Sequence, residues 1–133
     1  MAKRLRPLIV PGLMHVAFAD GQTAGFSMTL PDYNQALIHL RGSLFPLGWL
    51  KFLWYRRKIT RVRCMTVGVK GAYRKRGLTA LLFLESMKAT LALRYQEAEI
   101  SWILEDNLPA RRSAEMAGGV ISKRYALYGK DLV

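Results

Sequence analysis

The sequence predicts a mixed α/β sandwich, and three observations carry that prediction. A β-hairpin pattern opens the chain. An apolar strand then runs into a basic, glycine-containing turn that starts a long apolar helix, in "MTVGVKGAYRKRGLTALLFLE" at 65–85. A strand pattern of period two follows, and then a second, shorter helix.

Taken in order, "HVAFA" and "TAGFSMTL" flank Asp20-Gly21-Gln22, and Asp-Gly is a favoured tight-turn pair. Pro31 ends the second strand, and Asp32 is placed to cap a helix through "YNQALIHLR", which Gly42 stops. A second apolar and basic segment runs from Leu47 to Lys58. The stretch from Ile59 to Val69 is rich in Thr, Val and Ile, which favours a strand. The helix expected from about Leu78 to Tyr95 is apolar on nearly all sides in its first turns, so burial against a sheet is expected. In "EAEISWILED" the residues Ala98, Ile100, Trp102 and Leu104 share one face, and Glu99, Ser101, Ile103 and Glu105 the other. That alternation predicts a strand. A helix over Pro109–Ala117 ends at Gly118-Gly119, and "VISKRYALYGK" is expected to form the last strand.

At 133 residues the chain is a single domain, 1–133, with 51% hydrophobic residues to build a core. Its one cysteine, Cys64, lies within a strand pattern and is expected to be a buried thiol in a reducing compartment. The longest apolar run, "LFPLGWLKFLWY", is broken by Pro46 and Lys51 and falls short of the roughly 20 residues of a membrane span. The basic opening lacks the pattern of a signal peptide, so a cytoplasmic location is the expectation. The net charge of +12 is uneven: the 14 Lys and Arg of residues 1–76 face only Asp20 and Asp32, whereas residues 77–133 balance seven against seven. An anionic partner is therefore favoured. Backbone N–H groups at a helix start, its dipole, and the charges of Arg74, Lys75 and Arg76 make the turn a phosphate site.

The element order with this turn resembles the GNAT family of acetyl-CoA-dependent N-acyltransferases, over roughly residues 13 to 130. The family signature is Arg or Gln, two residues, Gly, one residue, then Gly or Ala. Arg74-Lys75-Arg76-Gly77-Leu78-Thr79 fits it except at Thr79. "DYNQ", "GWLKFLWYRRK" and "SWILEDN" look like an uncharacterised bacterial subgroup. The resemblance implies a mostly antiparallel mixed sheet flanked by helices. It also implies acetyl-CoA or another acyl-CoA as cofactor, with its pyrophosphate on the backbone of Arg74, Lys75, Arg76, Gly77, Leu78 and Thr79. The strand edge formed by Val67, Gly68 and Val69 would pair with the pantetheine amides, and Asn107 would contact the cofactor arm unless it is merely a helix cap.

Acyl transfer to an amine needs a base, a donor to the thioester carbonyl, and an acid for the thiolate. The N–H of Val69 or Val67 is the expected donor, and Glu105 the candidate base, with Glu99 behind it. The Tyr that the family often places seven residues beyond the Asn is here Ala114, which leaves Tyr125 or Tyr128, water, or no acid at all. GNAT domains usually begin with a strand and two helices ahead of the hairpin. Their absence suggests the C-terminal part of a longer protein or a shortened gene product, a CoA-binding domain or remnant whose acceptor pocket is either incomplete or completed by a second copy or a partner chain.

His15 and His39 stand apart from any ligand cluster, so no metal is expected. Trp49, Trp54 and Tyr55 interleave with Lys51, Arg56, Arg57 and Lys58, a stripe that is expected to pack its rings inward. The competing function is a basic module that uses this stripe and "RPL" on nucleic acid or an anionic membrane. The amine acceptor is not legible.

Overall fold

The computed structural model describes residues 8–42 and 47–130. The basic opening at 3–7 and the start of the apolar run at 44–46 lie outside the described residues. Among the described residues four strands form one sheet in the order β1-β2-β3-β4: β1 Met14–Ala19, β2 Gln22–Pro31, β3 Arg61–Val69 and β4 Glu97–Ile100. The β1–β2 and β2–β3 pairs are antiparallel, and β3–β4 is parallel. Among the described residues four helices flank the sheet: α1 Asn34–Leu37, continued as a 3₁₀ turn to Leu40, then α2 Gly48–Arg56, α3 Leu78–Ala92 and α4 Leu108–Met116.

The hairpin turn is the expected one. Asp20 and Gly21 both take positive φ, 52° and 73°, the two-residue geometry whose twist matches that of the flanking strands. At the far end of β2 the Asp32 carboxylate accepts from the Asn34 N–H at 3.3 Å, one residue ahead of the Tyr33 position that precedes α1. Arg41 and Gly42, at φ 47° and 81°, stop the helical segment. Between β2 and β3 the sheet is asymmetrically covered. Val62 and Cys64 point to the face that carries α3, and both are buried. Arg61 and Arg63 point to the opposite face, which carries α1 and α2.

One close approach fixes the seat of α3. A Cβ at Gly25 would lie 2.7 Å from the Gly68 carbonyl oxygen and 3.4 Å from a Leu82 methyl, so only glycine lets β2, β3 and α3 meet there. Beside it Ser27 Oγ lies 3.0 Å from Ser86 Oγ, and His15 Nδ1 lies within 3.4 Å of both hydroxyls. These partners satisfy two hydroxyls that are buried between sheet and helix.

Four expectations need correction. The strand expected through Asp106 ends at Ile100, because β4 pairs with β3 only from Arg61↔Glu97 to Cys64↔Ile100. The last strand over 120–130 does not form. Val120, Leu127 and Tyr128 are almost fully exposed, so this segment has neither a paired neighbour nor a buried face to hold it. Helix α3 buries one face rather than its whole circumference: Leu82, Phe83, Ser86 and Thr90 face the sheet, whereas Leu81, Leu84 and Leu91 are exposed. It offers one side to one sheet, and no second layer lies over its outer side among the described residues. Finally, Trp49 and Trp54 are half exposed rather than packed inward. Gly48, Phe52 and Tyr55 take the inner side of α2, with Phe52 against Tyr33 and Tyr55 stacked on His39 at 3.9 Å.

A Gly25→Ala variant is expected to lose about 1–3 kcal/mol of stability, since backbone on the Gly68 side must move to admit the methyl. Urea unfolding followed by circular dichroism measures it, and an unchanged midpoint would contradict the close approach.

Candidate functional site

The turn between β3 and α3 is built from backbone strain and charge. After the short 3₁₀ turn Gly71–Tyr73 the chain extends at Arg74 and enters the left-handed region at Lys75 and again at Gly77, with φ 63° and 75°. Gly77 precedes the first residue of α3, and its carbonyl accepts the first helical hydrogen bond, from Leu81 N–H at 3.0 Å. No side chain caps this helix start and no acidic residue lies in its first turn. The N–H groups of Leu78, Thr79 and Ala80 therefore point outward without helical partners, at the positive end of the dipole. Arg74, Lys75 and Arg76 are exposed around them. Arg76 lies 3.5 Å from Asp20 and over the Tyr73 ring; neither Arg74 nor Lys75 has a carboxylate partner among the described residues. Space beside Gly77 is open. A pyrophosphate fits this cradle by charge, donors and access.

The edge of β3 leads straight to that cradle. Lys70 N–H donates to Ala24 O at 2.9 Å. Alternation along the antiparallel pair turns the backbone of Gly68 toward β2 and those of Val67 and Val69 toward the opposite edge. Arg74 Nε reaches the Val69 carbonyl at 3.5 Å from that side. Among the described residues no strand occupies this edge beyond Cys64, because β4 has already left. A bulge at Met65, between the Met28↔Thr66 and Thr29↔Cys64 pairs, bends β3 at the parting point. The result is a wedge between two strands, one side of which offers unpaired N–H and C=O groups, as an extended amide chain requires.

Two cavities flank the wedge at its apex, on opposite faces of the sheet. On the α1–α2 face a cavity of about 680 Å³ is lined by Asp32, Arg61, Arg63, Glu99, Lys123 and Tyr125 among others. Its charges are paired across the strands: Arg61 bonds Glu97 through Nε at 2.7 Å and lies 4.0 Å from Asp32. Arg63 lies 3.3 Å from Glu99 and donates to Ser101 Oγ at 2.8 Å. The Glu97 carboxylate holds the Arg61 guanidinium above its ordinary pKa. Arg63 Nε is buried without a partner. On the α3 face a smaller cavity of about 170 Å³ lies among Cys64, Ile100, Phe83 and Met87, closed by the end of α4 at Ala117–Gly119. Cys64 is the buried thiol that was expected. Burial pushes its pKa up, and the neighbouring Thr29 hydroxyl offsets part of that rise.

The structure thus brings Val67, Gly68, Val69 and the residues Arg74 to Thr79 into one continuous track. It also brings Glu99 and Tyr125 to one cavity. Glu105 stands apart, with its side chain 88% exposed and 4.0 Å from Arg124. Tyr125 is carried on the unpaired segment with its ring 5.9 Å from Trp102; Tyr128 points to solvent. Asn107 caps α4 by accepting from Ala110 N–H at 3.3 Å. Sequence reasoning missed the Arg63–Glu99 pair. Its signal was present, since "RVR" in β3 and "EAE" in β4 are matched i, i+2 charges. Nothing in the sequence marks the apolar cavity, which depends on how α3 and α4 sit.

No family model matches the chain. Among curated proteins it is similar to Protein YghO of Escherichia coli, at 37% identity over 139 aligned residues that cover 99% of this chain and 35% of that protein. It is also similar to the bacterial ceramide synthase of Caulobacter vibrioides, at 34% identity, with 99% and 36% covered. The chain therefore spans about a third of the length of these curated relatives. Among solved structures it resembles the aminoglycoside N-acetyltransferase AAC(6')-Iy in complex with CoA. The TM-score is 0.61 at 17% identity, covering 90% of this chain and 75% of that one. AAC(6')-IG from Acinetobacter haemolyticus gives 0.59 at 12%, with 99% and 80% covered. The fold is that of the GNAT acetyltransferases.

The burial of Cys64 has a direct readout. Alkylation by iodoacetamide at pH 8 is expected to run at least about tenfold slower in the folded chain than in denaturant. Equal rates, followed by mass spectrometry, would place the thiol on the surface instead.

Proposed function

We propose that this chain carries the coenzyme A-binding part of an N-acyltransferase, which moves an acyl group from a CoA thioester to an amine. The observation that carries the reading is the continuous track from the wedge edge at Val67 and Val69 to the uncapped start of α3. Likeness to CoA-bound acetyltransferases at the level of the fold supports it. The thioester supplies an activated acyl carbon when bound.

Each residue then has a defined part. The Val67 or Val69 N–H donates to the thioester carbonyl oxygen and stabilises the charge that grows there. Glu99, on the wall of the polar cavity, is the carboxylate that receives the amine proton as nitrogen bonds to the carbonyl carbon, relayed through water because its partner Arg63 lies four strand residues, about 13 Å, from Val67. The carbon–sulfur bond breaks, and Tyr125 on the same wall protonates the leaving thiolate. Placement favours Glu99 over Glu105, whose carboxylate is solvated at the chain's surface. Asn107 is assigned to positioning α4 beside the track. The curated relative named a ceramide synthase extends the reading. Ceramide is the amide of a long-chain amino alcohol and a fatty acid, so a fatty acyl donor and an amino alcohol acceptor are proposed here, with the compartment taken as the cytoplasm.

A second reading has one observation in its favour. Trp49 and Trp54 are half exposed on α2, with Lys58 Nζ 3.5 Å over the Trp54 ring and further basic residues around them. That helix suits an anionic membrane surface. Salt-sensitive sedimentation with anionic vesicles, lost in a Trp49→Ala/Trp54→Ala variant, tests it.

For the first reading, free CoA at a hundred times its Kd is expected to raise the melting temperature by on the order of 10 °C. Gly77→Glu should abolish that shift by placing a carboxylate in the phosphate cradle. Glu99→Gln should keep the shift and lower turnover by about 10²–10⁴, whereas Glu105→Gln should leave turnover near normal. Absence of any CoA shift in the unsubstituted chain sinks the proposal.

A further inference from the structure

The apolar cavity on the α3 face is unused by the steps above. Its place is specific: Cys64 and Ile100 form its sheet wall, and they are the last pair before β3 and β4 separate. The wedge therefore opens into it. Two of its hydroxyls are turned away to other partners, Ser86 to Ser27 at 3.0 Å and Thr90 to the Ser86 carbonyl at 2.7 Å. What remains facing the space is carbon and sulfur from Cys64, Ile100, Phe83 and Met87, together with the Thr29 hydroxyl. Thr29 is 2% exposed, and its hydroxyl turns to the Cys64 thiol, a weak hydrogen-bonding partner.

We propose that this cavity seats the acyl chain of the CoA thioester, so that the site takes a fatty acyl donor in preference to acetyl. The inference rests on the CoA reading above and adds a place for the chain. From Val67, where a thioester carbonyl would be held, back to Cys64 is three strand residues, or about 10 Å. An acetyl group ends well short of that point. A chain of on the order of ten carbons runs down the wedge and enters the cavity. A space of 170 Å³ is about six times the ~30 Å³ share of one liquid water, room for a segment of several carbons. The amine approaches from the opposite face, through the polar cavity at Arg63 and Glu99. Chain and acceptor thus reach the wedge from different sides and do not compete for space.

The test is titration calorimetry of the chain with free CoA, acetyl-CoA and decanoyl-CoA, the last below its micellar concentration. Acetyl-CoA should bind within about threefold of CoA, and decanoyl-CoA at least tenfold more tightly. Ala98→Phe and Met87→Trp each push an aromatic ring into the cavity. Each should remove the decanoyl advantage while leaving the free-CoA affinity in place, which also certifies that the variant is folded. If decanoyl-CoA binds no better than CoA, or keeps its advantage in both variants, the cavity assignment is wrong while the CoA reading stands. If free CoA itself fails to bind the unsubstituted chain, the CoA reading falls and the cavity assignment with it.

Discussion

Four residues of parallel pairing between β3 and β4, and their abrupt end, are the constraint on which the rest of the site depends. Over Arg61–Cys64 the two strands are held by ladder hydrogen bonds and by cross-strand ion pairs, Arg61 with Glu97 and Arg63 with Glu99. Such half-exposed pairs add little stability each, yet they set register, because a slip by one residue would turn the arginines toward α3 and Val62 and Cys64 toward the charged face. Past Cys64 the bulge at Met65 bends β3 and β4 departs. The same event exposes the Val67 and Val69 backbone, opens the apolar cavity on one face and terminates the charged cavity on the other.

The second requirement is that α3 start at the open end of this wedge. Gly25 permits the contact of helix and sheet, and the Ser27–Ser86–His15 cluster fills the polar space next to it. The left-handed residues Lys75 and Gly77 then complete the reversal from strand to helix within a few residues. Helix dipole and outward N–H groups thereby stand among the exposed cations Arg74, Lys75 and Arg76. None of these contributions is strong alone; their convergence at the end of an unpaired strand edge distinguishes the turn from an ordinary connection.

Much of this was legible where local chemistry decides the outcome. Asp20-Gly21 specifies its hairpin, and Gly77 the start of α3, because each acts through its own backbone geometry. The glycine and the cations of the turn do stand at the uncapped start of α3, where the sequence put them. Legibility failed where tertiary pairing decides. Alternation in "EAEISWILED" continues to Glu105, but alternation predicts a strand only if a neighbour is there to pair with, and β3 bends away after Cys64. The same reason removes the strand expected over 120–130. The placement of Glu105 depended on that continuation; its carboxylate stands at the surface beside Arg124, while Glu99 pairs with Arg63 on the wall of the polar cavity. The apolar run of α3 overstated its burial, since a helix lying on one sheet face shields one side only.

The most direct test of the account is amide hydrogen exchange of the chain with and without saturating free CoA, resolved to single residues by NMR. The wedge predicts that Val67 and Val69, together with Leu78, Thr79 and Ala80, gain protection on binding, while Gly68, already turned toward β2, changes little. Binding that leaves Val67, Val69 and the start of α3 unprotected, and protects α2 instead, would contradict the claim that this strand edge and this helix start form the site.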